Sequence, residues 1–336
     1  MSETRPDPGI IFSLSTAYWA SACLLGANEL GLFGALAAGP VTACEAAQEV
    51  GADARACEIL LDALAGHGLL TKSEGRYALT PASRAYLPPG SPAFLGSALK
   101  WSQDQYSAFG RLAETVRTGR PAVAPELHLG ADAEQTRAFV LGMHERALGV
   151  ARGVAPFIDL GGAGELLDVG GGPGTYSALL AQADPNLHST VLDLPAVVAI
   201  AAELIAAVGL QDRVGVVGGD ATSGEYGEGA YDAVLFSGVL HQMAPATIAR
   251  MFTGAFRALR PGGRVIVSDM MLNDDKTEPA FSTLFSVLML LTSAEGAVFA
   301  EGECAAWLAE AGLTDVAVRR LPPPLPYSVV TGRKPA

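Results

Sequence analysis

The stretch Leu166-Leu167-Asp168-Val169-Gly170-Gly171-Gly172-Pro173-Gly174-Thr175-Tyr176 constrains the fold more than any other part of the chain. It reads as a buried strand ending in an acid, a glycine turn and a helix start. Glycine has no Cβ and accepts positive φ, so such a turn lets the backbone pass close to a ligand. Strands are expected near Glu165–Val169, Ser189–Leu192, Val214–Val217, Ala233–Phe236 and Arg264–Ser268, with helices near Tyr176–Ala183, Ala196–Val208 and Ala246–Leu259 between them. This alternation predicts a parallel sheet wrapped by helices. Two last strands, Val316–Arg320 and Tyr327–Thr331, flank Leu321-Pro322-Pro323-Pro324. A parallel crossover needs about a dozen residues, so that pair is expected to be antiparallel.

The first part of the chain has a different pattern. Apolar residues recur at helical spacing over Ser15–Leu25 and Gly31–Leu36, Thr42 and Asp53 stand where helix caps belong, and Gly66-His67-Gly68 breaks the helix that Asp53 starts. Strands around Leu69–Thr71 and Arg76–Leu79, with a turn at Ser73-Glu74-Gly75, complete a winged-helix pattern. Such modules often bind DNA. Residues 1–90, however, carry five basic and nine acidic residues, and the candidate recognition helix sets Asp53, Glu58 and Asp62 against Arg55. That helix would repel phosphate, so nucleic acid is not an expected partner. The apolar helices of Ile10–Leu36 are better explained as a dimerisation surface. Residues 1–95 are therefore read as a dimerisation domain, 96–157 as a helical connector contributing to the substrate pocket, and 158–336 as the ligand-binding domain.

Composition narrows the setting. A net charge of −13 disfavours nucleic acid and anionic membranes alike. No apolar run is read as reaching the roughly 18 residues of a membrane span, and Met1–Asp7 has no basic region leading into an apolar one, so a cytoplasmic protein is expected. Cys23, Cys44, Cys57 and Cys304 form no CxxC and are expected to be reduced, buried thiols, and the five histidines have no metal-ligand spacing, so no metal is expected. His67, His128 and His188 fall in surface or loop-like stretches.

Ligands of open parallel sheets sit beyond the carboxyl ends of the strands. Acids stand at three of those ends: Asp168, Asp193 in Leu192-Asp193-Leu194-Pro195, and Asp220 in Gly218-Gly219-Asp220-Ala221. An acid after the second strand suits the two hydroxyls of a ribose, and one after the third suits an adenine amino group. The glycine pattern is D-x-G-x-G-x-G rather than G-x-G-x-x-G, and Asp168 would oppose a pyrophosphate at the helix N-terminus. A cationic adenosyl ligand fits instead, and S-adenosylmethionine (SAM) has the ammonium, sulfonium, ribose and adenine required.

With these motifs, and with Leu30-Gly31-Leu32-Phe33, Leu60-Leu61-Asp62-Ala63-Leu64, Gly68-Leu69-Leu70 and Tyr77-Ala78-Leu79-Thr80 upstream and Leu240-His241 and Arg260-Pro261-Gly262-Gly263-Arg264 downstream, the chain resembles a family of SAM-dependent O-methyltransferases. That family includes the caffeate and acetylserotonin enzymes and bacterial natural-product enzymes. The resemblance implies an α/β fold: a Rossmann-like class I methyltransferase sheet, parallel with an antiparallel C-terminal strand, behind an N-terminal helical winged-helix dimerisation domain. It also implies a homodimer acting on a small-molecule aromatic or polyketide-like acceptor.

By position, the resemblance puts Gly170 and Gly172 in the SAM loop, with Gly170 against the methionine part. It puts Asp193 and Leu194 at the ribose and Asp220 and Ala221 around the adenine. Ser237 stands where plant members often have Lys. His241 takes the place of the general base and Asp269 that of an acid beside it, whereas Val298 falls where the family has a second acid. Phe139, Gly142 and Met143 match an acceptor-lining helix, and Met289, Thr292 and Ser293 a later pocket helix. His144, about 100° round the helix from Met143, is expected to face elsewhere. C- or N-methylation, a SAM-binding relative without transfer, and a ligand-sensing regulator are the alternatives.

Overall fold

In the computed structural model, which describes residues 7–91, 93–123 and 130–336, ten strands form two sheets. They are β1 (Val41–Thr42), β2 (Leu70–Ser73), β3 (Arg76–Leu79), β4 (Glu165–Val169), β5 (His188–Asp193), β6 (Val214–Gly218), β7 (Tyr231–Ser237), β8 (Leu259–Asp269), β9 (Thr314–Arg320) and β10 (Ser328–Arg333). His128 lies outside the described residues; His67 and His188 are exposed. The chain divides into two compact units, Met1–Asp104 and Gln105–Ala336.

The second unit holds a seven-stranded sheet of order β6-β5-β4-β7-β8-β10-β9. β4 to β8 run parallel, whereas β10 is antiparallel to both β8 and β9. β4 is the pivot: β5 and β6 extend to one side and β7 and β8 to the other, so the strand order reverses there, where open sheets bind ligands. Leu166, Leu167 and Val169 of β4, Ala233–Phe236 of β7 and Val265–Val267 of β8 are all buried. Such continuous apolar runs belong to parallel strands covered on both faces. The Pro245–Ala258 helix covers one face with Ile248, Met251 and Phe252, and Phe252 meets Phe236 edge to face at 5.4 Å.

In the first unit β1, β3 and β2 form an antiparallel sheet behind the helices Ala43–Val50 and Ala54–Gly66. Thr42 and Glu45 form a capping box, and the Asp53 carboxylate accepts from Ala56 N–H at 2.8 Å. The hairpin closes through Glu74 and Gly75, both at positive φ, as a two-residue turn requires. The core gathers Leu32, Phe33, Leu36, Leu61, Leu64 and Tyr77. The sequence reading lacked β1, which is only two residues long. Of the four cysteines expected to be buried, Cys57 and Cys304 are, but Cys23 is half-buried and Cys44 is exposed.

The N-terminal helices depart from the reading in a second way. Gly9–Thr16 and Tyr18–Glu29 follow one another through Ala17, and Gly9–Glu29 is long and apolar enough, by length and composition alone, to cross a membrane. Ser13, Ser15 and Thr16 interrupt the apolar letters, which hid this length. In the helix the Ser15 and Thr16 hydroxyls donate back to Phe12 O, at 2.9 and 3.1 Å, and so satisfy themselves. Ile10, Ile11, Phe12 and Leu14 are 66–68% exposed, an apolar face that the unit itself leaves uncovered.

Candidate functional site

The carboxyl ends of β4, β5, β7 and β8 bring the acids and His241 to one edge of the sheet. Asp168, in β4, is fully buried; its Oδ2 accepts from Ser177 Oγ at 2.6 Å, and Ser177 Oγ lies 2.8 Å from Ser189 Oγ. Its Oδ1 has no hydrogen-bond partner among the described residues. Burial raises its pKa to about 6, with Ser177 opposing the shift and the Asp193 charge adding to it. Gly170 turns at φ +66, and a Cβ there would lie 2.5 Å from Val239 Cγ2, so both the conformation and the space demand glycine.

Asp193, at the end of β5, accepts from Gly172 N–H through Oδ2 at 2.8 Å and from Leu194 N–H through Oδ1 at 2.7 Å. The carboxylate thus ties the glycine turn to the neighbouring strand, and each oxygen keeps a lone pair for a further donor. Burial raises its pKa, against the pull of these two amides. Asp220 lies beyond β6 and is exposed; its Oδ1 accepts from Thr222 N–H and Oγ1 at 2.8 and 2.7 Å, and Ala221 opens the short turn that it caps.

On the other side of β4, β7 and β8 run in register with Ser237 opposite Ser268. The 3₁₀ turn Leu240–Gln242 follows β7 and brings His241 to Asp269, the last residue of β8. His241 Nδ1 lies 2.8 Å from Asp269 Oδ1, which also accepts from Met270 N–H at 2.8 Å. Both side chains are buried, and Asp269 Oδ2 and Ser268 Oγ have no partner among the described residues. Among the described residues Ser237 Oγ is buried without a well-formed hydrogen bond, beside the Tyr176 phenol. A small cavity bounded by Leu240, His241, Asp269, Met271, Cys304 and Trp307 adjoins the pair.

The expected acceptor residues fall into two groups. Phe139 packs against the cluster of Val140, Val197 and Ile200, as does Leu194, and Met143 is half-buried further along the same Ala133–Val154 helix. Met289 lies instead in a cluster with Met270, Leu272, Phe285, Leu288 and Val298. Thr292 Oγ1 donates to Leu288 O at 2.9 Å, while Ser293 Oγ donates to Gln242 O at 3.3 Å and accepts from Gly296 N–H at 2.9 Å. Ser293 thereby touches the turn that carries His241.

Sequence reasoning missed three residues here. His144, expected to face away, has Nδ1 2.8 Å from Thr175 Oγ1, at the start of the helix after the glycine turn, and burial lowers its pKa. Packing between the Ala133–Val154 and Thr175–Ala183 helices decides this, and no spacing in the sequence reports it. Tyr176 and Tyr327 are the others: burial raises both phenol pKa values, that of Tyr327 to about 12, and the Asp269 charge reinforces each shift. Tyr327 immediately precedes Ser328, the partner of Asp269 across β8 and β10.

Comparisons with known proteins agree in both units. A family model described as an O-methyltransferase domain matches residues 109–314, and one described as an O-methyltransferase dimerisation domain matches residues 12–89. The chain is 35% identical over 332 residues to a 3-hydroxy-5-methyl-1-naphthoate 3-O-methyltransferase of Streptomyces sahachiroi, covering 97% of this chain and 95% of that protein. It is 32% identical over 333 residues to a tetracenomycin polyketide synthesis 8-O-methyl transferase of Streptomyces glaucescens, covering 98% and 97%. Among solved structures, human N-acetylserotonin methyltransferase in complex with SAM is similar with a TM-score of 0.88 and 25% identity, over 100% of both chains.

Proposed function

Since the chain belongs to the O-methyltransferase family, we propose that it moves a methyl group from SAM to a hydroxyl of an aromatic or polyketide-like small molecule, with His241 as general base. The observation that carries this reading is the buried His241–Asp269 pair, 2.8 Å apart, at the carboxyl ends of β7 and β8, on the same edge of the sheet as the Asp168 glycine turn after β4. The names of the Streptomyces relatives, a naphthoate enzyme and a polyketide enzyme, put aromatic hydroxyls first among acceptors.

The donor residues fit SAM. Asp168 Oδ1 is a buried acceptor in need of a donor, which an ammonium supplies. Asp193 has spare lone pairs for ribose hydroxyls, Asp220 and Ala221 border the adenine position, and Gly170, Gly172, Leu194 and Ser237 complete the contact surface. When bound, SAM supplies an electrophilic methyl on sulfur. The chain's own residues do the rest. Asp269 holds the proton on His241 Nδ1, which leaves Nε2 to take the proton of the acceptor hydroxyl. Met289, Thr292 and Ser293 on one side, and Phe139 and Met143 on the other, hold the acceptor in line. Positioning of this kind supplies about 7–11 kcal/mol of a barrier, and a general base typically adds about 10²–10⁴-fold.

Incubation with labelled SAM and a panel of phenols, hydroxynaphthoates, hydroxyquinones and indoles tests the reading. Label on a hydroxyl oxygen is expected; label on carbon or nitrogen, or SAM binding without transfer to any acceptor, would refute it.

The dimerisation-domain match is consistent with a homodimer, and the apolar face of Gly9–Thr16 is the surface it would bury. On this reading the winged-helix-like first unit is an assembly module, Gly9–Glu29 is an interface helix rather than a membrane span, and the enzyme is cytoplasmic. Phe12→Asp places a charge in that face and should sediment as a monomer where the parent protein is a dimer. A dimer that survives Phe12→Asp would locate the interface elsewhere.

A further inference from the structure

We propose that Phe285 is a positioning residue for His241, fixing the imidazole that Asp269 alone cannot hold; this rests on the reading of His241 as the base. A ring held by one hydrogen bond at Nδ1 still swings about that bond, and the direction of Nε2 follows the swing. In this chain the position where a second acid would be expected is Val298, which is buried in an apolar cluster. Restraint must then come from packing. Phe285 supplies it: its ring meets the imidazole edge to face, centroids 4.8 Å apart and planes at 80°.

Phe285 is itself immobilised. It is 8% exposed, packs among Met270, Leu272, Leu288, Met289 and Val298, and lies under Phe281, stacked at 6.3 Å with planes 10° apart. The backbone of His241 is held from the same direction. Ser293 Oγ donates to Gln242 O, and a Cβ on Gly296 would lie 2.6 Å from His241 O, so this loop lies hard against the catalytic turn. One helix, Ala280–Thr292, with the loop after it, therefore sets both the ring and the backbone of His241. The same helix carries Met289 and Thr292, the residues proposed above to hold the acceptor. Acceptor binding and base orientation are thus built into one element.

A double-mutant cycle tests the proposal. Phe285→Leu keeps apolar volume but removes the ring. It should lower kcat about tenfold and leave the KM for SAM within twofold, since a small misplacement of a reacting group is costly while the cofactor side is untouched. In a His241→Ala background the same change should alter kcat less than twofold, because there is no imidazole left to position. Equal losses in both backgrounds would show that Phe285 acts on the acceptor independently of His241 and would overturn the proposal; so would an unchanged kcat in the single variant. A His241→Ala enzyme as fast as its parent would overturn the base reading and this proposal with it, a result distinct from additivity. Phe285→Met, another ring-less side chain of similar volume, serves if Phe285→Leu does not fold.

Discussion

His241→Ala should lower kcat by about 100-fold, toward the low end of what a general base contributes, with SAM affinity within twofold of the parent. The separation of effects follows from where the residue sits. His241 follows β7 and pairs with Asp269 at the end of β8, whereas the glycine turn follows β4 and Asp193 ends β5. Removing the imidazole also leaves Asp269 as a buried carboxylate with one partner fewer, so some stability is lost. Thermal melting of the variant separates that loss from the loss of rate. Steady-state kinetics with a SAM titration is the measurement. Turnover like that of the parent would remove the base from the mechanism and leave proximity and an acidic phenol to account for the rate.

Asp168→Asn should have opposite effects on binding and on stability. Loss of a charge-assisted contact to an ammonium is worth about 2–3 kcal/mol, so SAM affinity should fall roughly 50-fold. In the unliganded protein the same carboxylate is a burden. Burial raises its pKa from 3.8 to about 6, so between those values the folded chain holds a proton that the unfolded chain releases. Its contribution to stability is full below pH 3.8 and is lost as the pH rises through about 6, at most on the order of 3 kcal/mol. The unliganded parent should therefore lose more stability between pH 5 and pH 7.5 than Asp168→Asn does. SAM binding to the parent should weaken as the pH falls through about 6, where the carboxylate gains its proton. Melting curves and calorimetric titrations across that range read both effects. Equal SAM affinity in parent and variant would show that Asp168 is not the counter-charge.

Much of this site was readable before the fold was known. Strand ends in a parallel sheet are marked by apolar runs that stop at an acid or a glycine, and Asp168, Asp193 and Asp269 all stand at such stops. Their convergence follows from topology alone, because parallel strands place all their carboxyl ends on one edge. The short connection before β10 likewise dictated an antiparallel pair. Residues whose role depends on packing between helices were not readable. His144 lies on Thr175 because two helices pack together, and the apolar length of Gly9–Glu29 was disguised by hydroxyls that turn back on their own helix.

The sequence by itself determined the alternation of elements, the glycine turn at Gly170 and the acids at the strand ends, since each depends on backbone geometry and neighbours along the chain. Only the tertiary structure decided what surrounds His241. Asp269 reaches it from an adjacent strand, and Phe285 from a helix more than forty residues away in the chain, beside a valine where an acid was expected. Side-chain packing of that kind is a property of the folded core, and no local pattern encodes it.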